Sequence, residues 1–177
     1  MPYVVFNPAL CSWVGGELFL CCCTFIPVTV YGCNGKMGQT ITRLIEEEND
    51  VEIVAGIDVC DTVKNSYPVF QNIADCDVEA DVIIDFTSAK AVDGLIAYSA
   101  EKKVPVVLCT TGLSEEQLKS LEEASSQVAV LRSANMSLGI NMLMKILQDA
   151  AKILVPAGFD IEIVEKHHNR KLDAPSG

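Results

Sequence analysis

The stretch VTVYGCNGKMGQTITRLIEEEND, residues 28–50, decides the fold that the sequence predicts. It opens with VTVY (28–31), a β-branched run typical of a buried strand, and continues with helical periodicity. A glycine-rich turn, residues 32–38, connects the two. The helix carries one apolar stripe, formed by Met37, Ile41, Leu44 and Ile45. A buried strand that runs directly into a helix is the repeating unit of a parallel α/β sheet.

The same alternation continues along the chain. Further strands are predicted at 51–58, 81–86, 104–110, 127–133 and 159–165, and helices at 89–103, 114–126 and 138–155. Ser114, with Gln117 three residues later, predicts a capping box at the start of one helix. The segment between the second and third strands, through SYPVF (66–70), is interpreted as loop. The pattern predicts an α/β fold with a Rossmann-like parallel sheet and helices on both faces.

The glycine turn has the composition of a phosphate-binding loop. Gly32, Gly35 and Gly38 permit a tight turn, and the N–H groups at the start of the following helix can hold a phosphate. Asn34 stands where a GxGxxG pattern has its second glycine, and we expect it to tolerate a left-handed backbone there. Asp58 ends the second strand, twenty positions after Gly38, where dinucleotide-binding folds place a carboxylate on the adenosine ribose. A plain glycine-rich turn and a solvated strand-end aspartate remain the alternatives.

The composition disfavours several classes of partner. A net charge of −11 and a pI near 4.5 argue against nucleic acid and anionic membrane as general partners. The eight cysteines contain no CxxC pair and are interpreted as reduced thiols, so the sequence predicts a cytoplasmic protein without a metal site. Residues 1–27 are interpreted as an extension outside the fold. A membrane anchor is the alternative, and it is disfavoured because the apolar part of this segment is shorter than the ~20 residues that span a bilayer.

The chain ends in VEKHHNRKLDAPSG (164–177), which holds both histidines and a cluster of cations in an otherwise acidic protein. A solvated basic loop is one interpretation. A metal site is disfavoured, because adjacent histidine side chains point apart and no third ligand has suitable spacing. General acid–base chemistry on an anionic substrate fits better, because histidine titrates near neutrality and a nearby lysine can hold an anion or donate a proton. APSG (174–177) would supply backbone N–H groups for a carboxylate.

Four motifs, GCNGKMG (32–38), CTTG (109–112), SANMSLGIN (133–141) and HHNRKLDAPSG (167–177), together resemble the dihydrodipicolinate reductase (4-hydroxy-tetrahydrodipicolinate reductase) family. The resemblance runs over residues 28–177, and the last motif is specific to the family whereas the glycine loop is not. It implies a domain organisation with an extension at 1–27, a dinucleotide-binding domain at 28–137 and, at 138–177, the start of an α+β substrate-binding and catalytic domain.

The resemblance also implies roles for single residues. His167 would be the catalytic acid–base group and Lys171 the second proton donor, while His168 and Gly177 would contact the substrate dicarboxylate. Asp58 would bind the adenosine ribose. The other implied cofactor contacts are Gly32, Cys33, Asn34, Gly35, Lys36 and Met37 at the pyrophosphate, and Cys109, Thr110, Thr111, Ser133, Ala134, Asn135 and Met136 around the nicotinamide. By composition alone, the segments that hold the nicotinamide contacts would be ordinary loops.

The activity implied is that of an oxidoreductase of lysine and diaminopimelate biosynthesis, which reduces dihydrodipicolinate to tetrahydrodipicolinate with NADH or NADPH. Val59 follows Asp58 where some members carry an arginine, so we expect use of both cofactors with a preference for NADH. The complete family protein would be a homotetramer. Because the family sequence continues beyond the match to Gly177, we expect this chain to bind dinucleotide weakly, without measurable turnover or tetramer assembly.

Two other functions stay open from the residues alone. A non-catalytic, redox-sensing nucleotide-binding module could share this fold, and so could another Rossmann dehydrogenase. A sensor needs no proton donor, so the joint presence of His167, His168 and Lys171 favours the reductase.

Overall fold

The structure describes residues 25–60, 62–164 and 166 in a computed structural model, as two compact units divided between Ser133 and Ala134. The strands, all in the first unit, are β1 (Ile26–Tyr31), β2 (Val51–Ile57), β3 (Val69–Phe70), β4 (Val82–Asp85), β5 (Val106–Leu108) and β6 (Val130–Arg132). The first unit also holds a short 3-10 helix and three longer helices, at Ile73–Asp75, α1 (Lys36–Glu46), α2 (Ala89–Lys102) and α3 (Glu115–Ser125). The second unit contains α4 (Leu138–Leu154).

The strands lie in the order β3-β2-β1-β4-β5-β6, and every neighbouring pair is parallel. The chain winds outward from β1 to β3, returns to place β4 beside β1, and then winds outward in the other direction. This is the doubly wound order of dinucleotide-binding sheets, which bind ligands at the carboxyl ends of the strands where the winding reverses. The predicted Rossmann-like sheet is therefore confirmed, and the crevice of this sheet lies between β1 and β4.

Both faces of the sheet are covered by helices. Ile83 of β4 belongs to a core cluster that includes residues of α2 and α3. Its strand neighbours Val82 and Ile84 pack in a second cluster together with Ile41 of α1. Successive side chains of a strand point to opposite faces, so the two clusters lie on opposite sides of the sheet. The prediction of helices on both faces is confirmed.

The buried face of α1 differs from the predicted apolar stripe. Met37 and Leu44 are exposed, and the buried residues of the helix are Gly38 and Thr42. A helix that lies directly against the backbone of the preceding turn must present its smallest residue there, and this requirement rotates the apolar stripe partly toward the surface.

The capping box predicted for α3 is confirmed. The Ser114 hydroxyl accepts a hydrogen bond from the Gln117 N–H at 3.2 Å, and the Gln117 side chain accepts one from the Ser114 N–H at 3.1 Å. Gln117 also donates to the carbonyl oxygen of Ala89, the first residue of α2, at 2.7 Å. The box pairs N–H groups that a helix start leaves without intrahelical partners, and the additional bond joins the starts of α2 and α3.

The start of β1 and the presence of β3 differ from the prediction. β1 begins at Ile26, so the last two residues of the predicted extension belong to the sheet; residues 1–24 lie outside the described residues. β3 was predicted as loop, yet Val69 and Phe70 pair in parallel with Gly56 and Ile57. An edge strand of two residues is too short to produce the alternation by which strands are identified in a sequence.

The strand predicted at 159–165 is wrong over residues 159–164, which form no strand, and residue 165 lies outside the described residues. A strand exists only when it is hydrogen-bonded to a neighbouring strand. In the described part of the second unit, α4 is the only regular element. The apolar residues of the predicted alternation, Phe159, Ile161 and Ile163, are exposed.

The second unit begins with a capped helix. The Ser137 hydroxyl accepts from the Ile140 N–H at 3.4 Å at the start of α4, and Asp149 pairs with Lys145 at 3.1 Å and Lys152 at 3.0 Å farther along the helix. No residue of α4 is buried. Among the described residues, no helix combines the length and apolarity needed to cross a membrane.

Candidate functional site

Four loops follow the carboxyl ends of β1, β2, β4 and β5 in the first unit. Parallel strands end at the same edge of a sheet, so these loops line one edge. Backbone hydrogen bonds join them to neighbouring strands: the Gly32 N–H donates to the Ile57 oxygen at 2.8 Å, and the Phe86 N–H donates to the Tyr31 oxygen at 3.0 Å. The loops of the crevice are therefore positioned by the main chain of the sheet itself.

The turn between β1 and α1 is compact enough to require glycine at two positions. Gly32 has a φ of +83°, and a Cβ there would lie 2.8 Å from the Phe86 carbonyl oxygen. A Cβ on Gly38 would lie 2.2 Å from the Gly32 carbonyl oxygen, well inside contact distance. The backbone of the turn therefore contacts both the loop after β4 and the first turn of α1.

The start of α1 is suited to an anion. Its N-cap residue, Gly35, provides no side-chain cap, and the first turn contains no acidic side chain. The first N–H groups of a helix lack intrahelical partners and carry the positive end of the helix dipole. Lys36 and Met37 are exposed at this end, so the predicted pyrophosphate contact of this loop has the geometry that it needs.

Asp58 follows β2 and is fixed by two backbone donors. Its Oδ2 accepts from the Asn34 N–H at 2.9 Å, and its Oδ1 accepts from the Cys60 N–H at 2.9 Å. Each carboxylate oxygen can accept more than one hydrogen bond, and the side chain is only half-buried. Asp58, at the end of the neighbouring strand β2, therefore fixes the glycine turn through the Asn34 N–H. Its oxygens can still accept a hydrogen bond from a ribose hydroxyl.

The backbone expected at Asn34 is wrong. Among the described residues other than glycine, only Lys103 has a positive φ. The Asn34 side chain instead donates to the Cys60 carbonyl oxygen and accepts from the Asn65 amide at 2.7 Å. An amide both donates and accepts, so the residue at the position of the missing glycine ties the turn to the segment after β2.

Asn65 and Gln39 complete this network, and no pattern in the sequence predicted them. The Gln39 amide donates to the Asn65 side-chain oxygen at 3.1 Å and to the Cys33 carbonyl oxygen at 3.0 Å. Neither residue belongs to a motif or to a periodic pattern. Only the pairing of β1 with β2 brings the two segments together, so no local signal could have identified them.

Asp85 joins the loops after β4 and β5 and was also not identified. Its carboxylate is fully buried, and its Oδ1 accepts from the Thr87 N–H at 3.1 Å and from the Thr87 hydroxyl at 2.6 Å. Its Oδ2 accepts from the Thr110 hydroxyl at 2.6 Å. The available signal was an acidic residue that closes the apolar strand VIID (82–85), directly before a threonine-containing loop.

The loop after β5 holds three of the predicted nicotinamide contacts, and these residues differ in accessibility. Cys109 and Thr110 are buried, whereas Thr111 is exposed. Burial, together with the nearby charge of Asp85, raises the pKa of the Cys109 thiol to about 11. Burial and the charge of Asp58 raise the pKa of the Cys33 thiol to about 11 as well. Both thiols are therefore neutral packing groups at physiological pH.

We expect Cys33 and Cys109 to react slowly with iodoacetamide in the folded protein. A pKa raised from 9.0 to about 11 leaves ~100-fold less thiolate at about pH 8, and the thiolate is the nucleophile. Exposed Cys60 serves as the internal comparison. Peptide mass spectrometry after a short pulse measures each site, with the unfolded protein as the reference for full reactivity; equal labelling of all three thiols before unfolding would contradict the assignment.

The remaining predicted site residues lie elsewhere in the chain. Ser133 ends the first unit, where its N–H donates to the Leu108 oxygen at 3.0 Å. In the second unit Asn135 accepts from the Ser137 N–H at 2.8 Å. The other two nicotinamide contacts predicted there are Ala134 and Met136. The predicted acid–base and substrate residues lie outside the described residues: His167, Lys171, His168 and Gly177.

The geometry of the first unit suits a dinucleotide. An uncapped helix start and a carboxylate beside it supply groups for a diphosphate and a ribose. They follow the carboxyl ends of β1 and β2, beside the reversal of strand order between β1 and β4 where doubly wound sheets bind ligands. Within residues 25–60, 62–164 and 166, no group of three histidine, cysteine or acidic side chains is arranged to hold a metal ion.

Two sequence models of one family match the chain. The model described as "Dihydrodipicolinate reductase, N-terminus" matches residues 26–136, and the model described as "Dihydrodipicolinate reductase, C-terminus" matches residues 139–177. The first match covers the sheet, and the second covers α4 from its second residue onward and the terminal histidine motif.

Curated relatives include 4-hydroxy-tetrahydrodipicolinate reductases at about half identity. The chain is 51% identical over 152 residues to the enzyme of Caldanaerobacter subterraneus subsp. tengcongensis, covering 86% of this chain and 59% of the relative. It is 49% identical over 152 residues to that of Clostridium tetani, again covering 86% of this chain and 59% of the relative. The chain therefore spans less than two thirds of the length of these relatives.

Solved structures with the same fold include a family member. A dipicolinate-bound dihydrodipicolinate reductase from Paenisporosarcina sp. TG-14 aligns with a TM-score of 0.71 and 30% identity, over 87% of this chain and 62% of that one. Myo-inositol 2-dehydrogenase from Lactobacillus plantarum aligns with a TM-score of 0.57 and 16% identity, over 73% of this chain and 42% of that one. The second likeness shows the fold alone.

Proposed function

The chain belongs to the dihydrodipicolinate reductase family, and from that premise we propose that it provides the cofactor-binding part and the catalytic loop of an NAD(P)H-dependent 4-hydroxy-tetrahydrodipicolinate reductase. The proposed reaction reduces dihydrodipicolinate to tetrahydrodipicolinate in lysine and diaminopimelate biosynthesis. The match at residues 139–177 supports this activity over the two alternatives, a redox sensor and another Rossmann dehydrogenase. The complete protein would be a cytoplasmic homotetramer.

The observation that carries cofactor binding is the start of α1 beside Asp58. The first N–H groups of α1, at the exposed residues Lys36 and Met37, would hold the pyrophosphate. Asp58, already fixed by the Asn34 N–H, would accept from the adenosine ribose. Gly32 would let the glycine turn lie directly against the loop after β4, because a Cβ there would lie 2.8 Å from the Phe86 carbonyl oxygen. The nicotinamide end would then extend from the glycine turn toward the loops after β4 and β5.

The bound nicotinamide would supply a hydride to the unsaturated ring of the substrate. His167 or Lys171 would donate the proton that completes the reduction, because each can carry a transferable proton near neutral pH. His168 and the backbone at Gly177 would contact a substrate carboxylate. Cations in this segment would also attract a doubly negative substrate to a protein of net charge −11.

The substrate class follows from the same segment and from a relative. Dipicolinate, the ligand named for the Paenisporosarcina structure, is a flat aromatic dicarboxylate. A ligand with two carboxylates suits a segment whose sequence is rich in cations, because opposite charges attract. We therefore assign a small cyclic dicarboxylate as the substrate of the complete enzyme.

A titration of this chain with NADH, followed by cofactor fluorescence or calorimetry, tests the cofactor assignment. We expect saturable binding of one NADH per chain that ADP-ribose displaces, because the adenine half contacts the described loops. A Kd weaker than ~1 mM, equivalent to a binding free energy of only about −4 kcal/mol, would contradict the proposed site.

The preference for NADH is expected to depend on Asp58. Its negative charge repels the 2′-phosphate of NADPH, whereas its oxygens accept from the 2′-hydroxyl of NADH. Asp58→Asn should therefore shift the ratio of the two Kd values about tenfold toward NADPH, because a hydrogen bond to a charged group contributes about 1.5–3 kcal/mol. Its lost backbone contact with the glycine turn affects both cofactors and therefore cancels in the ratio. The readout is the ratio of the two Kd values.

Asp50→Asn is the matched control, because this exposed residue precedes the opposite end of the same strand. It removes the same charge from the protein and should leave the ratio unchanged. Tenfold tighter binding of NADPH by the unaltered chain would contradict the preference itself.

A further inference from the structure

Asp85 is a buried carboxylate that the proposed chemistry does not use. Within the described part of the chain it accepts from three donors: the Thr87 N–H, the Thr87 hydroxyl and the Thr110 hydroxyl. An ionised carboxylate has no hydrogen to donate, so each hydroxyl must direct its own hydrogen toward Asp85. The carboxylate therefore decides the orientation of both hydroxyl groups.

The Thr87 hydroxyl has two other neighbours, and distance decides between them. Its oxygen lies 3.4 Å from the Ser88 carbonyl oxygen and 3.4 Å from the Thr110 hydroxyl oxygen, compared with 2.6 Å from Asp85 Oδ1. Hydrogen bonds to an ionised acceptor are shorter and about twice as strong as neutral ones. The single hydroxyl hydrogen of Thr87 therefore points at Asp85, and the rest of the oxygen surface offers lone pairs only.

Thr87 is the member of this cluster that a ligand can reach. Thr110 is 4% exposed and Asp85 is fully buried, whereas Thr87 is half-buried. A Cβ built on Gly32 would lie 3.1 Å from Thr87 Cγ2, so Thr87 borders the glycine turn at the crevice between β1 and β4. A dinucleotide whose pyrophosphate lay on that turn would bring its next groups toward Thr87.

Resting on the proposed function, we propose that Asp85 is a positioning residue that fixes the Thr87 hydroxyl as an acceptor for the N–H₂ group of the nicotinamide carboxamide. A carboxamide presents one acceptor and one donor group. An oxygen that can only accept takes the donor and rejects the carbonyl, and this choice sets the rotation of the carboxamide. Thr110 holds the second oxygen of Asp85 in place from the loop after β5.

The test compares NADH with reduced 3-acetylpyridine adenine dinucleotide, which carries a methyl group in place of N–H₂. The unaltered chain should bind NADH about tenfold more tightly than the analogue, as one hydrogen bond of about 1.4 kcal/mol requires. Thr87→Val removes the hydroxyl and should abolish this preference. Thr87→Ser retains the hydroxyl and should restore the preference, which a merely structural role for Thr87 would not require.

Asp85→Ala tests the positioning role separately. It removes the oxygen that accepts from the Thr87 hydroxyl, which frees the hydrogen of that hydroxyl to turn toward the crevice. The preference for NADH over the analogue should then disappear although Thr87 is unchanged. Because Asp85→Ala can destabilise the fold, its thermal unfolding is recorded, and if the variant does not fold the two Thr87 variants decide the proposal.

ADP-ribose, which lacks the nicotinamide, distinguishes this inference from the proposed function. It should bind the unaltered chain and the Thr87 variants equally. If ADP-ribose binds equally but Thr87→Val keeps the preference for NADH over the analogue, the Asp85 proposal is overturned and the cofactor site stands. If ADP-ribose does not bind the unaltered chain, the proposed function fails and the inference fails with it.

Discussion

We expect His167→Ala, made in the full-length protein, to lower kcat by about 10²- to 10⁴-fold and to leave the affinity for NADH nearly unchanged, and we expect the same of Lys171→Ala. The physical reason is that a positioned proton donor acts in the transition state and not on the bound cofactor. Steady-state kinetics over neutral pH, together with NADH titrations of each variant, separate the two effects.

Lys166→Ala is the matched control for these variants. Lys166 is an exposed cation of the same segment to which no role is assigned, so its removal changes the charge of the loop without removing a proposed proton donor. Its kcat should remain close to that of the unaltered protein. Near-normal turnover in His167→Ala would remove the acid–base role from that residue, and an equal loss in all three variants would indicate that charge alone is responsible.

Gly38→Ala should both destabilise the first unit and disrupt its cofactor site. The added Cβ would lie 2.2 Å from the Gly32 carbonyl oxygen and 2.6 Å from Cys33 Cα, both of them backbone atoms that cannot rotate away. We expect the free energy of unfolding to fall by about 1–3 kcal/mol, as is typical of overpacking. Displacement of the turn should also weaken NADH binding more than about tenfold, through loss of the backbone hydrogen bonds that we propose to the pyrophosphate.

Gly94→Ala is the matched control, because it makes the same change in another helix. Gly94 lies within α2 and is exposed, and an added Cβ there would meet nothing within 4 Å. Because alanine favours the helix over glycine by about 0.8–1.0 kcal/mol, this variant should be slightly more stable and should bind NADH normally. Urea unfolding and NADH titration of both variants make the comparison; similar behaviour of the two would show that the close approach at Gly38 is not restrictive.

The sheet was predictable because its strands are buried on both faces. Runs such as VIID and VVL are apolar without alternation, which is typical of parallel strands between two helical layers. Helix starts were predictable where a local motif marks them, as Ser114 and Gln117 do. The strand predicted at 159–165 failed because alternation indicates only the capacity for a strand, whereas the strand itself requires a partner.

The placement of Gly38 and Asp58 was predictable from the sequence, because steric contact and strand order determine where each must lie. The role of Asp58 at a ribose stays a prediction. Asn34 shows the limit: its deviation from glycine was visible, but its partner Asn65 is 31 positions away and is brought close only by the fold. Asp85 is similar, since its partner Thr110 is 25 positions away.

The position of β1 has a consequence for the order in which the protein is made. β1 pairs with β2 on one side and with β4 on the other, so the first of the described strands to be synthesised lies between partners synthesised later. The Phe86 carbonyl oxygen, which lies against Gly32 of the glycine turn, is present only when the chain has been translated past β4. At ~5–20 residues per second, several seconds separate the synthesis of β1 from that of β4. During that interval the nascent chain has an apolar strand with one open edge, which makes it a candidate for chaperone binding until its second half emerges.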